Sequence, residues 1–289
     1  MHDWQLNDID KQLIKLAFRE DLGLPFQDVT VDTLFKDNNT IKTAFIISKH
    51  HEPVVISGIP LISELLSLFH ISMNIKSRYH DGDILHPGET MLTITGPAHT
   101  LLKAERTILN FLQRMCAVAT ITKKFTDKIM HTKTKVLDTR KTIPGFRHLD
   151  KYAVRCGGGV NHRMGLFDAI MIKDTHIDAL GGISKAINTL PDDILKHCPV
   201  IIEVRDKDEL QVVLTEGLQK TTRVLLDNMT ELQLKECVLL CENKIPTEAS
   251  GNIDLDNIVS IAETGVDFVS IGKITHSAGN VNLSMKCEL

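Results

Sequence analysis

The segment DTRKTIPGFRHLDKYAVRCGGGVNHRMGLFDAIMIKDTHI (Asp138–Ile177) places basic residues directly after short apolar runs. Arg140 and Lys141 follow one such run, and Lys173 follows another. Cations on a solvated helix face usually have acidic neighbours at helical spacing, whereas these follow strand-like sequence. Because a charge at the end of a buried strand points into whatever opens there, we expect these side chains to converge on one pocket.

The basic residues of this segment indicate the chemistry of the ligand. Arginine presents a planar fork that fits a carboxylate or a phosphate, and lysine acts as a compact point charge. His162 and Arg163 follow the GGG turn at 157–159 and add further basic groups. The ligand is therefore expected to be small and polyanionic.

The composition of the chain is typical of a globular enzyme. The chain has 289 residues, more than one ordinary hydrophobic core usually organises, so the length favours one large α/β barrel or two domains. The net charge of −4 and the aromatic content of 4% argue against a nucleic-acid partner. The apolar runs are shorter than the roughly 18–20 residues of a membrane span, so no membrane partner is expected.

The N-terminus and the cysteines indicate the compartment. Residues 1–12 (MHDWQLNDIDKQ) lack the basic and apolar regions of a secretory signal. The six cysteines form no CxxC pair, and Cys237 and Cys241, on one helical face, lack the further ligands that zinc requires. We therefore expect reduced, buried thiols in a cytoplasmic protein.

The first third of the chain predicts a helix followed by an antiparallel sheet. Ile9, Leu13, Leu16 and Ala17 have the spacing of one helical face. The extended runs that follow, separated by turn signals, are Ile41–Ser48, Val54–Ser57, Met73–Arg78 and Thr90–Thr95.

Two further helices are predicted in this part of the chain. One covers Ile59–Phe69, between the extended runs. The other begins at Gly96-Pro97, with proline in the favourable first turn, and continues to about Met130. A break is expected near Cys116–Ala119, where the sequence loses a clear apolar face.

From residue 135 onward, short strands alternate with amphipathic helices. The predicted strands are Lys135–Leu137, Ala169–Ile172, Val200–Ile202, Arg223–Leu226, Ile245–Ala249 and Phe268–Ile271. The helices between them include Asp206–Thr215, Thr230–Cys241 and Asp254–Thr264. Such alternation implies parallel strands joined by right-handed crossovers.

Polar residues or glycine follow each predicted strand. In order they are Asp138/Arg140/Lys141, Lys173/Asp174, Glu203, Asp227, Ser250-Gly251 and Gly272-Lys273. In a β/α barrel these carboxyl ends share one face, where catalytic groups gather and the last strands often hold a phosphate. An open doubly wound sheet gives similar alternation but usually has a glycine-rich turn after a strand, whereas this GGG follows a predicted helix. The barrel is therefore favoured.

Six segments together resemble the quinolinate phosphoribosyltransferase family, also called nicotinate-nucleotide pyrophosphorylases. They are AERTILNFLQR (104–114), DTRKTIPGFRHLDKYAVRCGGGVNHRMGLFDAIMIKD (138–174), EV (203–204), LLDNM (225–229), EASGNI (248–253) and SIGKITHSAGNVNLS (270–284). The match runs in order from about residue 80 to the C-terminus. Its long central segment is far more specific than a lone glycine motif.

Three positions depart from the usual pattern of the family. The run MCAVAT (115–120) stands where a Ser-Gly-Ile-Ala-Thr type of run is more frequent, and Thr175 replaces a common asparagine. Lys273 stands where a small residue is usual. The first two lie beside the motif residues, but Lys273 adds a cation next to the phosphate loop that the resemblance implies.

The resemblance implies a reaction and an architecture. A 5-phosphoribosyl group passes from phosphoribosyl pyrophosphate to the ring nitrogen of quinolinate; pyrophosphate and CO2 leave, and nicotinate mononucleotide forms on the de novo route to NAD. The implied fold is an N-terminal α/β sandwich (1–114) joined by a returning tail (274–289) and followed by an open, seven-stranded β/α barrel (115–273). The implied assembly is a homodimer with a shared active site, which is compatible with a hexamer, and the implied cofactor is Mg2+.

The resemblance also assigns roles to individual residues. Four are expected to be catalytic: Lys141, Lys173, Glu203 and Asp227. Those expected to bind substrate are Arg106, Thr139, Arg140, Lys141, His162, Arg163, Lys173, Glu203, Asp227, Ser250, Gly251, Asn252, Ile271, Gly272 and Lys273. Arg106 would serve the partner's pocket, and Glu203 and Asp227 would hold the metal through substrate or water.

Three other functions remain open on the residues alone. A related phosphoribosyltransferase acting on nicotinate would need fewer cations, because its substrate has one carboxylate. A Schiff-base aldolase would use Lys173, but such a lysine needs a desolvated site, and Lys173 lies among other charges. A protein that only binds anions would gain nothing from Glu203 and Asp227 in a cationic pocket.

Overall fold

The computed structural model describes residues 5–35, 40–67 and 73–288. The chain divides into two compact units. The first contains the residues up to Lys123, together with Thr142–Gly158 and the segment from Ser277 onward. The second contains Lys124–Lys141 and Gly159–His276. The finer domain boundaries, 1–114, 115–273 and 274–289, stay a prediction.

The described residues form the following strands and helices. The strands are β1 (Ile41–Ser48), β2 (Val54–Val55), β3 (Asn74–Lys76), β4 (Ile84–Leu85), β5 (Thr90–Pro97), β6 (Lys135–Leu137), β7 (Ile170–Ile172), β8 (Val200–Val204), β9 (Arg223–Asp227), β10 (Thr247–Ser250), β11 (Phe268–Ser270) and β12 (Leu283–Cys287). The helices are α1 (Asp8–Leu22), α2 (Val29–Leu34), α3 (Ile59–Ser67), α4 (Ala98–Lys128), α5 (Arg147–Cys156), α6 (Asp174–Leu180), α7 (Ile183–Thr189), α8 (Lys207–Val212), α9 (Glu231–Cys241), α10 (Ile258–Ala262) and α11 (Lys273–His276).

The first unit contains an antiparallel sheet in the order β12-β1-β5-β3. The C-terminal strand β12 pairs with β1, in the register Ile46 opposite Met285. This pairing confirms the antiparallel sheet predicted for the first third of the chain. The predicted strand Met73–Arg78 is shorter in the structure, and Phe69, the predicted end of α3, lies outside the described residues.

Helix α1 buries a different face from the one predicted. Its N-cap is Asn7, which forms a capping box with Asp10, and it ends at Gly23. The buried apolar residues are Ile14, Phe18 and Leu22, one helical turn apart, whereas Ile9 and Leu16 are exposed. The helix carries two apolar stripes, and the one with the large aromatic ring packs inward.

The expected break in the long helix α4 is wrong. The helix is continuous from Ala98 to Lys128. The residues at the expected break, Cys116–Ala119, are all buried, so the helix is enclosed on every side there. A helix that is apolar on all sides is expected to be buried, not broken. Its burial explains why the sequence shows no separate apolar face there. The helix also begins one residue later than predicted, because Pro97 ends β5.

The second unit contains a parallel sheet whose strand order confirms the β/α barrel. The described strands follow the order β6-β11-β10-β9-β8-β7, and the pairs are parallel. Strands β7 to β11 are neighbours in chain order, and the first strand, β6, lies beside the last, β11. A doubly wound sheet reverses its order in the middle, whereas here the strands follow one another in chain order and the first strand lies next to the last.

The seventh barrel strand implied by the resemblance is reduced to a single bridge among the described residues. Val160 forms an isolated parallel bridge with Leu137 of β6. Beyond this bridge, the side chain of Asn161 donates to Oδ2 of Asp138 at 2.6 Å. Over residues 5–35, 40–67 and 73–288, no helix is long and apolar enough to cross a membrane.

Candidate active site

The carboxyl ends of the parallel strands surround a cavity of about 580 Å³ in the second unit. All but one of the residues assigned to the site line this cavity: Thr139, Arg140, Lys141, His162, Arg163, Lys173, Glu203, Asp227, Ser250, Gly251, Asn252, Ile271, Gly272 and Lys273. The exception is Arg106, which is exposed on α4 in the first unit. The fold therefore brings together residues that lie more than 130 positions apart in the sequence.

Two arginines lie close enough to repel each other at one wall of the cavity. Burial lowers the pKa of Arg163, and the positive charge of Arg140 lowers it further. Arg163 is held from the other side, because its Nη1 donates to the carbonyl oxygen of Ala169 at 3.1 Å. Neighbouring cations are stabilised by an anion placed between them, so this wall favours an anionic ligand.

Lys173 and Glu203 form an ion pair inside the cavity. The Nζ atom of Lys173 lies 3.7 Å from Oε2 of Glu203, which is 7% exposed. Burial raises the pKa of the Glu203 carboxyl, Lys173 opposes this effect, and the negative charges of Asp227 and Asp174 raise the pKa again. Glu203 is therefore a carboxylate whose charge the site destabilises, as is typical of residues that interact with a developing positive charge.

Asp227 is oriented by its neighbours at the end of β9. The hydroxyl of Ser250 donates a short hydrogen bond to Oδ1, and Nδ2 of Asn228 donates to Oδ2 at 2.6 Å. Asn228 has a positive φ of 53°, a conformation that asparagine tolerates better than most residues. Both carboxylate oxygens thus accept a hydrogen bond, which fixes the plane of the carboxylate.

The loop after β10 requires glycine at position 251. Gly251 has φ of +96°, and a Cβ atom there would lie 2.1 Å from Oδ1 of Asn228. The next residue, Asn252, also has a positive φ, of 51°. This backbone passes close to the Asp227–Asn228 pair, so the Ser250-Gly251-Asn252 loop forms one edge of the cavity.

The neighbouring edge of the cavity lies after β11, the strand that pairs with β10. The backbone N–H of Ile271 donates to the carbonyl of Leu137 at 3.0 Å, which continues the strand pairing. A Cβ atom on Gly272 would lie 3.0 Å from Cδ of Lys141, so glycine leaves room for the lysine stem. Lys273, the departure from the family pattern, has its Nζ 3.4 Å from Oδ2 of Asp254.

The sequence motifs gave no role to several residues of this cavity. Glu248 lines it and is completely buried, although its neighbours in the sequence are small or polar. Arg223, the first residue of β9, lies with its Nε 2.8 Å from Oε2 of Glu248. The sequence did contain a signal, a charged residue inside a short buried strand. Because burial of an unpaired charge is costly, such a residue is expected to have a charged partner.

His162 is nine-tenths buried at the same wall. It is 9% exposed, and its Nδ1 accepts the backbone N–H of Arg163 at 2.7 Å. Its Nε2 lies 3.4 Å from Oε1 of Glu248. Its backbone N–H donates to Asp138, a buried residue of the central motif, at 2.8 Å.

Two family models account for nearly the whole chain. The C-terminal domain of quinolinate phosphoribosyl transferase matches residues 118–286, and the N-terminal domain of the same enzyme matches residues 28–116. The chain belongs to the quinolinate phosphoribosyltransferase family. The resemblance of the six sequence segments is thus confirmed.

Relatives in the quinolinate phosphoribosyltransferase family align along most of their length. Quinolinate phosphoribosyltransferase [decarboxylating] 1b of Nicotiana tabacum is 39% identical, with 96% of this chain and 82% of the relative covered. The probable nicotinate-nucleotide pyrophosphorylase [carboxylating] of Bacillus subtilis is 36% identical, with 96% and 93% covered. The solved structure of the nicotinate-nucleotide pyrophosphorylase from Francisella tularensis has a TM-score of 0.89 and 38% identity, with 100% and 99% covered.

Proposed function

We propose that this protein transfers the 5-phosphoribosyl group of phosphoribosyl pyrophosphate to the ring nitrogen of quinolinate. Pyrophosphate and CO2 leave, and the product is nicotinate mononucleotide, an intermediate of de novo NAD biosynthesis. The protein is thus an enzyme, a pentosyltransferase of the nicotinate-nucleotide diphosphorylase (carboxylating) type. Membership of the family and the cation-lined cavity support this function.

The cations of the cavity carry the proposal. Quinolinate has two carboxylates, and the donor has a monophosphate and a pyrophosphate. The cavity is lined by the basic side chains of Arg140, Lys141, Arg163, Lys173 and Lys273. In a chain of net charge −4, only such local focusing of positive charge can hold two polyanions side by side.

The position of each cation suggests which anion it binds. Arg140 and Arg163, whose charges repel each other, can share the carboxylates of quinolinate. Lys173 lines the same cavity and forms an ion pair with Glu203. Lys141 lies against Gly272, on the side of the loops that follow the last strands. We assign it to the pyrophosphate of the donor, where a point charge suffices.

The loops after β10 and β11 suit the 5-phosphate of the donor. Ser250, Gly251, Asn252, Ile271 and Gly272 line this edge of the cavity, and the loops after the last two strands of β/α barrels often hold a phosphate. Lys273 adds a positive charge at this edge, shared with Asp254. Thr139, beside Lys141, completes the donor side.

Glu203 and Asp227 are proposed to act on the ribose. When pyrophosphate departs, positive charge develops at the anomeric carbon, and two preoriented carboxylates stabilise it. Burial, followed by the charge of Asp227, raises the pKa of Glu203, and this destabilisation of the ionised form is relieved as the positive charge appears. This relief occurs in the transition state more than in the ground state, which is the condition for catalysis.

Mg2+ fits the cavity as an ion that arrives with the donor. Among the described residues, no group of three or more His, Cys, Asp or Glu side chains is arranged to hold a metal. Magnesium commonly uses one or two carboxylates and completes its shell with substrate phosphates and water. Glu203 and Asp227 can supply those carboxylates, through water or substrate, and the bound ion would neutralise the departing pyrophosphate.

We further propose a homodimer in which each cavity receives Arg106 from the partner subunit. Arg106 is exposed on α4, so it is accessible to a second chain. The first unit also exposes large apolar side chains, among them Ile9, Leu16, Leu24 and Val29, each at least 59% exposed. Exposed apolar surface of this kind is typical of subunit contacts. A hexamer of such dimers and a cytoplasmic location stay predictions.

A direct assay tests the reaction. With Mg2+ and phosphoribosyl pyrophosphate, the protein is expected to consume quinolinate and to release one CO2 for each nicotinate mononucleotide formed. Nicotinate is expected to be a poor acceptor, because the cations that bind the second carboxylate stay unpaired. Efficient turnover of nicotinate without turnover of quinolinate would assign the protein to the mono-acid reaction instead.

Arg163→Lys is expected to weaken quinolinate binding selectively. The substitution keeps the positive charge but loses the planar fork, and a lost charge-assisted hydrogen bond costs on the order of 1.5–3 kcal/mol. Calorimetric titration with each substrate measures the change, with Arg205→Lys, an exposed arginine paired with Glu209, as the control. An equal loss of donor binding would show that Arg163 contacts the donor or supports the fold.

A further inference from the structure

Glu248 is an acid in a cavity whose two proposed substrates are both anions. It lies in the middle of β10, is 0% exposed and lines the cavity. A buried carboxylate is tolerated only when cations or donors offset the loss of its hydration. Here the offset comes from Arg223, whose Nε is 2.8 Å away, and from His162, whose Nε2 is 3.4 Å away.

The pKa of Glu248 agrees with an ionised side chain. Burial by itself raises the pKa of this carboxyl, but the contacts with His162 and Arg223 outweigh burial and bring it below the ordinary value. Arg223 is held in place by stacking over the ring of Phe268, with the guanidinium carbon 4.9 Å from the ring centroid. The charge of Glu248 is therefore neutralised inside the protein and does not repel an anionic substrate.

The contacts of His162 determine which ring nitrogen carries the proton. Nδ1 accepts the backbone N–H of Arg163 at 2.7 Å, so Nδ1 must present a lone pair. A neutral imidazole then carries its proton on Nε2, and an imidazolium is excluded because its second proton would face that N–H. Nη2 of Arg223 lies 3.4 Å from Nε2, but both are donors, so the Nε2–H faces Glu248.

The contacts of His162 extend to Arg163. Its backbone N–H is bound to His162, and its guanidinium donates to the carbonyl of Ala169, so the side chain that lines the cavity is held at both ends. Rotation of the His162 ring would release the first of these contacts. On its other side the ring faces Glu248, whose Oε1 lies 3.4 Å from Nε2.

We propose that Glu248 is a positioning residue for the carboxylate-binding wall: it holds His162 as the neutral Nε2–H tautomer, and His162 fixes the backbone beneath the guanidinium of Arg163. His162 then contributes geometry rather than positive charge. Arg223 supports the arrangement by neutralising Glu248. The kinetic part of this inference rests on the proposed quinolinate activity, whereas the tautomer does not.

The kinetic test compares the two substrates. Glu248→Gln is expected to raise the KM for quinolinate about tenfold, which is the scale of one lost charge-assisted contact. The KM for the donor is expected to change less than about twofold. Arg223→Met is expected to shift the same constant in the same direction. Glu263→Gln is the matched control, because Glu263 forms a Glu–His pair with His131 on the surface of the same unit.

A rescue experiment separates positioning from simple packing. In His162→Asn the side-chain oxygen can replace Nδ1 as the acceptor for the N–H of Arg163, whereas in His162→Ala it cannot. The KM for quinolinate is therefore expected to be lower in the asparagine variant than in the alanine variant. Equal KM values in the two variants would overturn the link from His162 to Arg163.

Neutron diffraction from crystals of the unaltered protein tests the tautomer without any variant or any activity. Deuterium on Nε2 of His162 and none on Nδ1 is the expected result. Deuterium on Nδ1 would overturn the inference even in an active enzyme. An inactive wild-type protein with deuterium on Nε2 would refute the proposed function and leave the tautomer standing.

Discussion

Glu203→Gln is expected to lower kcat by about 10²–10³, the usual scale for one preorganised electrostatic group. The amide keeps the shape of the side chain but removes its negative charge. That charge pairs with Lys173 and would stabilise the positive charge that develops on the ribose. Substrate binding is expected to survive, so the loss appears in kcat rather than in KM. Glu236→Gln is the matched control, because Glu236 forms a comparable lysine pair with Lys207 on the surface.

The acid side of the pH profile provides a second measurement of the same residue. Because burial, followed by the charges of Asp227 and Asp174, raises the pKa of Glu203, the active ionised form is lost at a higher pH than for an ordinary glutamate. The kcat of the wild type is therefore expected to fall as the pH drops through this raised value. Glu203→Gln has no such group and is expected to lack this part of the profile. An unchanged kcat in the variant would remove Glu203 from the mechanism.

Asp227→Asn is expected to cause a loss of similar size, for a related reason. The carboxylate accepts hydrogen bonds at both oxygens, from Ser250 and from Asn228. An amide has one acceptor oxygen, so its NH2 group would face one of these donors and the side chain would also lose its orientation. A fall in kcat without a change in the melting temperature would show that charge and orientation, rather than folding, are lost.

Mixed dimers of Arg106→Ala and Glu203→Gln are expected to recover about a quarter of wild-type activity. Each variant alone is expected to be nearly inactive, since every site in it lacks one required group. After co-refolding in equal amounts, about half of the dimers are mixed, and in a two-fold dimer one of their two sites receives both intact residues. Turnover per total chain is the measurement, with the heterodimer fraction determined separately.

The reciprocal mixture distinguishes a shared site from an unshared one. Here the chain with both substitutions is co-refolded with an equal amount of wild type. If Arg106 serves the partner, mixed dimers have no intact site, and activity is about a quarter of wild type. If Arg106 serves its own chain, mixed dimers keep one intact site, and activity is about half. Activity near one half, together with no recovery in the first mixture, would refute the shared site.

Most of the site was predictable because strand ends are a local feature of sequence. Alternating apolar runs and amphipathic helices indicate parallel strands, and Lys173, Glu203 and Asp227 each stand at or just after such a run. By contrast, the need for glycine at position 251 became visible only in the structure, where a positive φ and the nearby side chain of Asn228 exclude a Cβ atom. The roles that the family resemblance assigned to these residues stay predictions until they are measured.

Local patterns were misleading where burial depends on distant neighbours. The sequence at Cys116–Ala119 resembles an interruption, yet it lies in a continuous helix because surrounding elements enclose it. In α1, two stripes had helical spacing, and only packing could select the one with Phe18. The spacing of apolar residues predicts that a face is buried, but it does not rank two competing faces.

The sequence by itself determined the alternation of strands and helices and the polar groups or glycines that follow each strand. The tertiary structure decided that β6 lies beside β11, which turns a row of strands into a barrel. It also decided that Glu248 is buried against Arg223 and His162. The reason is the same in both cases: pairing of distant strands and neutralisation of a buried charge depend on contacts between residues far apart in the chain, and no local pattern records them.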